Sequence, residues 1–176
     1  MILAGHSVLA VPVPELDAFV RERTTRYDAS FASADPEFGH AHLTLLGPWL
    51  PEPTPDDLAT VGRIVADEPA FEFTLAQVRQ FPLGVLYLAP DPDEPFRRLA
   101  ARLAAAFPQT PPYGGEFPDS IPHLTLDHTL TGASVESLRA ELTLPVVANA
   151  ERVDLQWWAN HNCHVRHTWR LGATAP

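Results

Sequence analysis

Along this chain, short stretches in which apolar and polar residues alternate are interleaved with stretches whose apolar residues recur every three or four positions, and prolines mark the boundaries between them. A run of β-formers predicts a strand over residues 6–13. Pro14-Glu15 then opens a helix that gathers Leu16, Phe19 and Val20 on one face. A loop through Asp35-Pro36-Glu37-Phe38-Gly39 leads to a second strand at 41–47. After a turn at 48–53, Thr54 stands as a helix cap with Asp57 three residues on, and a helix to about residue 66 is expected. Phe71, Phe73 and Leu75 alternate with polar residues, which predicts a strand over 71–75. A strand at 84–89, a helix at 94–107 of good intrinsic propensity, a Pro/Gly loop at 108–120 and a strand at 121–127 come next. Ser134 caps a short helix to about residue 142, and two last strands, 146–158 and 164–171, complete the pattern. No linker or low-complexity tract divides these elements. The expectation is one α+β domain spanning residues 1–176.

Composition narrows the picture modestly. Of 176 residues, 45% are hydrophobic and 19% charged, the balance of an ordinary globular chain. No apolar run is long enough to span a bilayer, so no membrane association is expected. The opening Met1 to His6 lacks a basic segment and a cleavage signal, so no secretory leader is expected either. One cysteine, Cys163, cannot form an intrachain disulfide, which points to a reducing, cytoplasmic setting. Twelve basic and 22 acidic residues leave a formal charge of −10. An extended nucleic-acid surface is therefore not expected, and any nucleotide partner should be small or held at one end.

A repeat runs through the pattern. Val8, Val11 and Phe19 are matched 77 residues later by Val85, Leu88 and Phe96. Each strand-helix unit is followed by a loop and the same tetrapeptide, His42-Leu43-Thr44-Leu45 and then His123-Leu124-Thr125-Leu126, 81 residues on. Two units, approximately 6–47 and 83–128, predict a pseudo-twofold arrangement of two lobes. On a strand, His42 and Thr44 share one face while Leu43 and Leu45 share the other. The leucines can pack beneath helices, leaving the polar pair outward, and the second copy repeats this with His123 and Thr125. If the lobes face each other, two imidazoles and two hydroxyls converge on one cleft. That constellation suits in-line displacement at phosphorus. One imidazole takes a proton from the attacking hydroxyl, the other protonates the leaving oxygen, and the threonines donate to non-bridging oxygens. The scheme needs no metal and no cofactor.

These paired motifs, with the repeat around them, resemble the 2H phosphoesterases, specifically the 2'-5' RNA ligase-like and 2',3'-cyclic phosphodiesterase branch. That family is built on two His-x-Thr/Ser-x motifs, each on a strand of one lobe. The resemblance covers most of the chain. It implies an α+β fold of antiparallel sheets with outer helices around a central cleft, catalysis by His42 and His123, and phosphate contacts from Thr44 and Thr125. It further implies opening of 2',3'-cyclic phosphates to 2'-phosphomonoesters on a nucleotide or RNA end, with reverse 2'-5' RNA ligation in some members. Within the family pattern His123 would activate water and His42 would protonate the departing 3' oxygen. A monomer acting on a small substrate is the corresponding expectation. The alternatives are a phosphate-binding module without turnover and a metal-dependent hydrolase using His40 and His42.

Four loop aromatics are candidate substrate contacts by base stacking: Phe38 and Trp49 beside the first motif, Tyr113 and Phe117 before the second. Cys163, His164 and His167 are of metal-ligand type, but strand alternation sends them to different faces, so no metal site is expected there. His6 and His128 read as structural. Trp157, Trp158 and Trp169 read as core or edge-covering residues.

Overall fold

The computed structural model describes residues 5–115 and 120–173. The alternating stretches become β1 (His6–Pro12), β2 (His42–Trp49), β3 (Phe71–Gln80), β4 (Val85–Asp91), β5 (Leu124–His128), β6 (Val146–Ala150), β7 (Arg152–Trp158) and β8 (His164–Arg170). The periodic stretches become α1 (Asp17–Asp28), α2 (Pro55–Asp67), α3 (Glu94–Ala106) and α4 (Val135–Glu141). All strands join one antiparallel sheet in the order β6-β3-β4-β5-β2-β1-β7-β8. The order is symmetric about its middle: β2-β1 on one side answers β5-β4 on the other, and each is followed outward by two more strands. The two repeated units, β1-α1-β2 and β4-α3-β5, lie on opposite sides of that middle.

Local chemistry explains the helix starts. Thr54 Oγ1 accepts from the Asp57 backbone N–H at 3.2 Å, and the Asp57 carboxylate accepts from the Thr54 N–H at 2.8 Å. This reciprocal box satisfies donors that the first turn cannot pair internally. Ser134 and Ser137 build the same box at α4. Leu43, Leu45, Leu124 and Leu126 are all buried, in one core with Leu16 and Val20 of the first lobe and Phe96, Leu99 and Leu103 of α3. The helices are exchanged across the axis. α3 of the second unit packs on β2 of the first. Arg23 of α1 reaches the other way, forming an ion pair with Asp127 of β5 and another at 2.5 Å with Glu141 of α4.

Several boundaries differ from the sequence expectation: Pro14–Leu16 form a separate tight turn before α1, and β2 runs on to Trp49 through the expected start of a turn. β3 runs on to Gln80 because a bulge between Leu75 and Val78 turns both Ala76 and Gln77 outward, which breaks the alternation. The expected strand 146–158 is two strands on opposite halves of the sheet, β6 against β3 and β7 against β1. The sheet curls so far that its ends approach: Leu171 N–H donates to Glu151 O at 2.9 Å, and Gly172 lies against Pro69. β5 begins at Leu124 rather than 121, since Pro122 has no N–H to give a ladder. Among the described residues no helix is long and apolar enough to cross a membrane.

Candidate active site

β2 and β5 meet at the centre of the sheet, with Leu43 paired to Leu124. Both leucines point to the helices. Continuing the antiparallel register by one residue each way sets His42 opposite Thr125 and Thr44 opposite His123, all on the concave face. The four motif residues thus form a compact square. Flanking it, β1 sets Ala10 beside Thr44 and Pro12 beside His42, and β4 sets Tyr87 beside Thr125.

The two imidazoles are tethered identically. His42 Nδ1 lies 2.9 Å from the carbonyl oxygen of His40, and His123 Nδ1 lies 2.7 Å from that of Ile121. A carbonyl only accepts, so Nδ1 carries the hydrogen in each ring and Nε2 is left as the nitrogen that takes or releases a proton.

Their supports differ. Asp17, at the start of α1, accepts through Oδ1 from the backbone N–H of His40 at 2.6 Å and of Ala41 at 3.2 Å. The His40 ring is buried, accepts from the Ser33 N–H at 3.1 Å through Nε2, and turns Nδ1 toward Asp17 Oδ2 at 3.9 Å. The peptide that holds His42 is therefore itself held from two sides. Burial pushes the Asp17 carboxyl up, but its interactions with the His40 side chain and the two N–H groups outweigh this, and the net direction is down. In the second lobe Pro122 stands where Ala41 stands in the first and offers no N–H, while Ile121 is exposed. His123 is instead steadied by rings: Phe81 edge-on at 5.1 Å, Tyr87 at 5.7 Å and Tyr113 nearly parallel at 6.4 Å.

Electrostatics follow these surroundings. Burial, chiefly, pushes His42 down to about 4, against the His40 carbonyl, which favours the charged ring; the nearby His123 and His40 rings push it further down. Burial also lowers His123, opposed by the Ile121 carbonyl. The His123 ring is thus near enough for its charge to act on His42. A cavity of about 870 Å³ opens over the first-motif half of the square, bounded by His42, Thr44, Trp158, Phe31, Trp49 and Tyr113; His123 and Thr125 are not part of its wall.

Of the expected contacts, Thr44 lines this cavity and Thr125 is exposed beside it. Trp49 is buried against Phe107 and borders the cavity, while its Nε1–H is buried and has no acceptor among the described residues. Tyr113 forms a wall between the cavity and His123, with a left-handed backbone (φ 51°). Phe38 is not a wall: it is 3% exposed and packs edge-on against Trp158 at 4.8 Å and His40 at 5.0 Å, so it supports the cleft from beneath. Phe117 lies outside the described residues. Trp158, expected as core or edge cover, is half-buried with its ring 5.6 Å from His42. Asp17, Phe81 and Tyr87 carry no signal in the sequence. An Asp at a helix start reads as an ordinary first-turn acid, and the ring contacts depend on strand neighbours that no local pattern reveals.

His40 is poorly placed as a metal ligand beside His42, because the Ser33 N–H occupies its Nε2 and its Nδ1 faces Asp17. Among the described residues, no three His, Cys, Asp or Glu side chains are grouped to hold an ion. Cys163 is buried with Sγ 3.3 Å from the Ala159 carbonyl, and His167 packs on Trp169.

The fold matches solved structures along nearly its whole length. TT0787 of Thermus thermophilus is 22% identical, with a TM-score of 0.61 over 97% of this chain and 100% of that one. E. coli LigT complexed with 3'-AMP is 18% identical, with a TM-score of 0.59 over 96% and 99%. A structure described as a phosphoesterase is 19% identical, with a TM-score of 0.58 over 97% and 100%. No curated protein sequence matches the chain significantly. The family model of the 2'-5' RNA ligase superfamily matches residues 12–162, which takes in both His-Leu-Thr-Leu strands and strands β2 to β7. The chain belongs to that superfamily, the 2H phosphoesterases.

Proposed function

We propose that this protein opens a 2',3'-cyclic phosphate on a nucleotide or RNA end to a 2'-phosphomonoester, by proton transfer between water, two histidines and the leaving oxygen. The observation that carries this reading is the matched pair of imidazoles on one face of the central strands, each tied through Nδ1 so that Nε2 is the reactive nitrogen. E. coli LigT, of the same fold, has been crystallised with 3'-AMP, which supports a nucleotide as the ligand class.

In the reaction a water oxygen attacks phosphorus opposite the 3' oxygen. The water proton passes to one Nε2, the P–O3' bond breaks, and the second imidazole gives its proton to O3'. The 2' ester bond remains. Both rings end with exchanged protonation states, which solvent restores. Thr44 and Thr125 donate to the non-bridging oxygens as charge builds, and each proton transfer contributes about 10²–10⁴ in rate. The surroundings break the symmetry between the histidines. His42, strongly desolvated and held neutral, is suited to accept the proton of water. His123, less completely enclosed, takes the acid role. This is the reverse of the assignment that family resemblance implies.

The test uses the four 2',3'-cyclic nucleotides in excess chelator. Sustained turnover to 2'-phosphates supports the scheme; turnover that stops with chelation and returns with zinc would sink it. Roles are read from a p-nitrophenyl phosphodiester, whose leaving group needs no proton. His123→Ala should be selectively rescued on it. Selective rescue of His42→Ala would restore the family assignment.

A further inference from the structure

The concave face is used differently in the two lobes. In the first lobe, beyond His42, the segment 33–41 folds down onto the sheet. Phe38 and His40 are buried there, Gln156 donates to the Gly39 carbonyl at 2.8 Å, and Asp35 accepts from the Val165 N–H at 2.9 Å. In the second lobe, beyond His123, a cavity of about 450 Å³ lies over β3 and β4. It starts at the catalytic cleft. Ile121, whose carbonyl holds His123, lines it, as does Tyr87, whose ring lies 5.7 Å from the His123 imidazole.

Charge along this cavity is graded. At the end near His123, Arg79 on β3 sits next to Tyr87 in register; its guanidinium bonds the neutral Gln77 side chain at 3.0 Å, and no carboxylate among the described residues pairs with it. At the far end, Asp91 and Asp93 line the wall, with Arg97 already bound to Asp93 at 2.8 Å. Six of the twelve arginines form no ion pair among the described residues, and of those six Arg79 is the one that lines this cavity, in register with Tyr87. A guanidinium matches a phosphodiester with two parallel N–H donors, and the acidic end repels a second phosphate.

We propose that the second-lobe cavity is a subsite for the nucleotide next to the cyclised one, with Arg79 holding the connecting phosphodiester and so setting the preference between longer and shorter substrates at this site. This rests on the phosphodiesterase reading above. The cavity is of a size that holds one small-molecule unit. Net acidity is compatible with it because one phosphate is gripped and the rest of the strand is turned away.

The experiment compares kcat/KM on 2',3'-cyclic AMP, on the ApA dinucleotide ending in a 2',3'-cyclic phosphate and on the corresponding trinucleotide. For the unmodified protein the dinucleotide should exceed the mononucleotide by about tenfold, the worth of one partly exposed charge-assisted contact, and the trinucleotide should gain nothing further. Arg79→Ala should bring the dinucleotide-to-mononucleotide ratio toward one, Arg79→Lys should keep part of it, and the salt dependence of the dinucleotide reaction should lose about one phosphate's slope. A ratio of one in the unmodified protein, or a ratio unchanged in Arg79→Ala, overturns the subsite. Calorimetric binding of the 2'-phosphorylated dinucleotide and mononucleotide products separates the two proposals. Tighter, Arg79-dependent dinucleotide binding without turnover would remove the hydrolytic reading and leave the subsite standing. Equal binding of both products would remove the subsite.

Discussion

Replacing Asp17 by Ala tests how the first histidine is held. Asp17 accepts from two backbone N–H groups, those of His40 and Ala41, which are 2% and 0% exposed. A buried donor left without an acceptor costs about 1–3 kcal/mol. The Asp17 side chain is itself 30% exposed, so water can reach part of the vacated space, and a net loss of about 2 kcal/mol is expected. For a chain of this size that lowers the melting midpoint by about 4–8 °C. The catalytic effect should be larger than the stability effect implies. The freed peptide is the one whose carbonyl holds His42 Nδ1, and a misplacement of about 1 Å can cost on the order of 10²-fold in rate. kcat/KM on a cyclic nucleotide should therefore fall by about 10- to 100-fold. Water entering beside His42 should also move the acidic limb of the pH profile upward, toward the ordinary histidine range, which a general loss of stability would not do. Asp17→Asn keeps an acceptor and should lose only about 1 kcal/mol. Thermal unfolding followed by circular dichroism, with kinetics at several pH values, reads all three effects. An Asp17→Ala protein with unchanged midpoint, rate and pH profile would refute the reasoning.

Other outcomes follow from the same geometry. With His42 as base, kcat/KM should rise as pH increases through about 4, and with His123 as acid it should fall as pH passes the lowered pKa of that ring; the optimum therefore lies on the acid side of neutrality, and an optimum above pH 7 in a full profile would contradict the assignment. Asp127→Ala should cost about 3–5 kcal/mol in denaturant titration, because it strips the buried Arg23 of a partner, whereas Arg23→Leu with Asp127→Leu should recover most of that loss. Burial raises the Asp127 carboxyl, but bonds from the His128 N–H, Thr131, Tyr27 and Arg23 outweigh this and depress it, so its contribution is present above its unfolded value and is lost as pH falls through the folded one; acid melting curves should show that loss vanish in Asp127→Asn. Gly84→Ala should cost at least about 1 kcal/mol, since φ is +101° and the added carbon would lie 2.4 Å from Thr129 Oγ1; a neutral melting curve would show that the 81–84 turn tolerates it.

What the chain discloses about itself depends on how local the cause is. Alternation within His42-Leu-Thr-Leu and His123-Leu-Thr-Leu determines which side chains share a face, and the repeat around them carries the two-lobed arrangement. The Thr54 and Ser134 caps are equally local. β6 and β7 read as one strand because nothing near Glu151 signals that the sheet has curled far enough for one extended run to change lobes. Phe38 looks like a loop aromatic, and only the fold of segment 33–41 shows it lying under Trp158. The difference between the two histidines is the least local feature. It rests on an aspartate 25 residues before His42, a tryptophan two strands away in the sheet, and a proline where an N–H would otherwise be.

The exchange of helices across the axis bears on how the molecule opens. With α3 seated on β2, Arg23 reaching from α1 to β5 and α4, and a single extended run passing from β6 to β7, neither half encloses a core of its own. The halves cannot swing apart as hinged jaws without breaking the hydrophobic interior, so a single cooperative melting transition is expected in calorimetry. The reactive slot is thus a standing feature of the native state, and substrates enter a gap already set to width instead of drawing it closed around themselves.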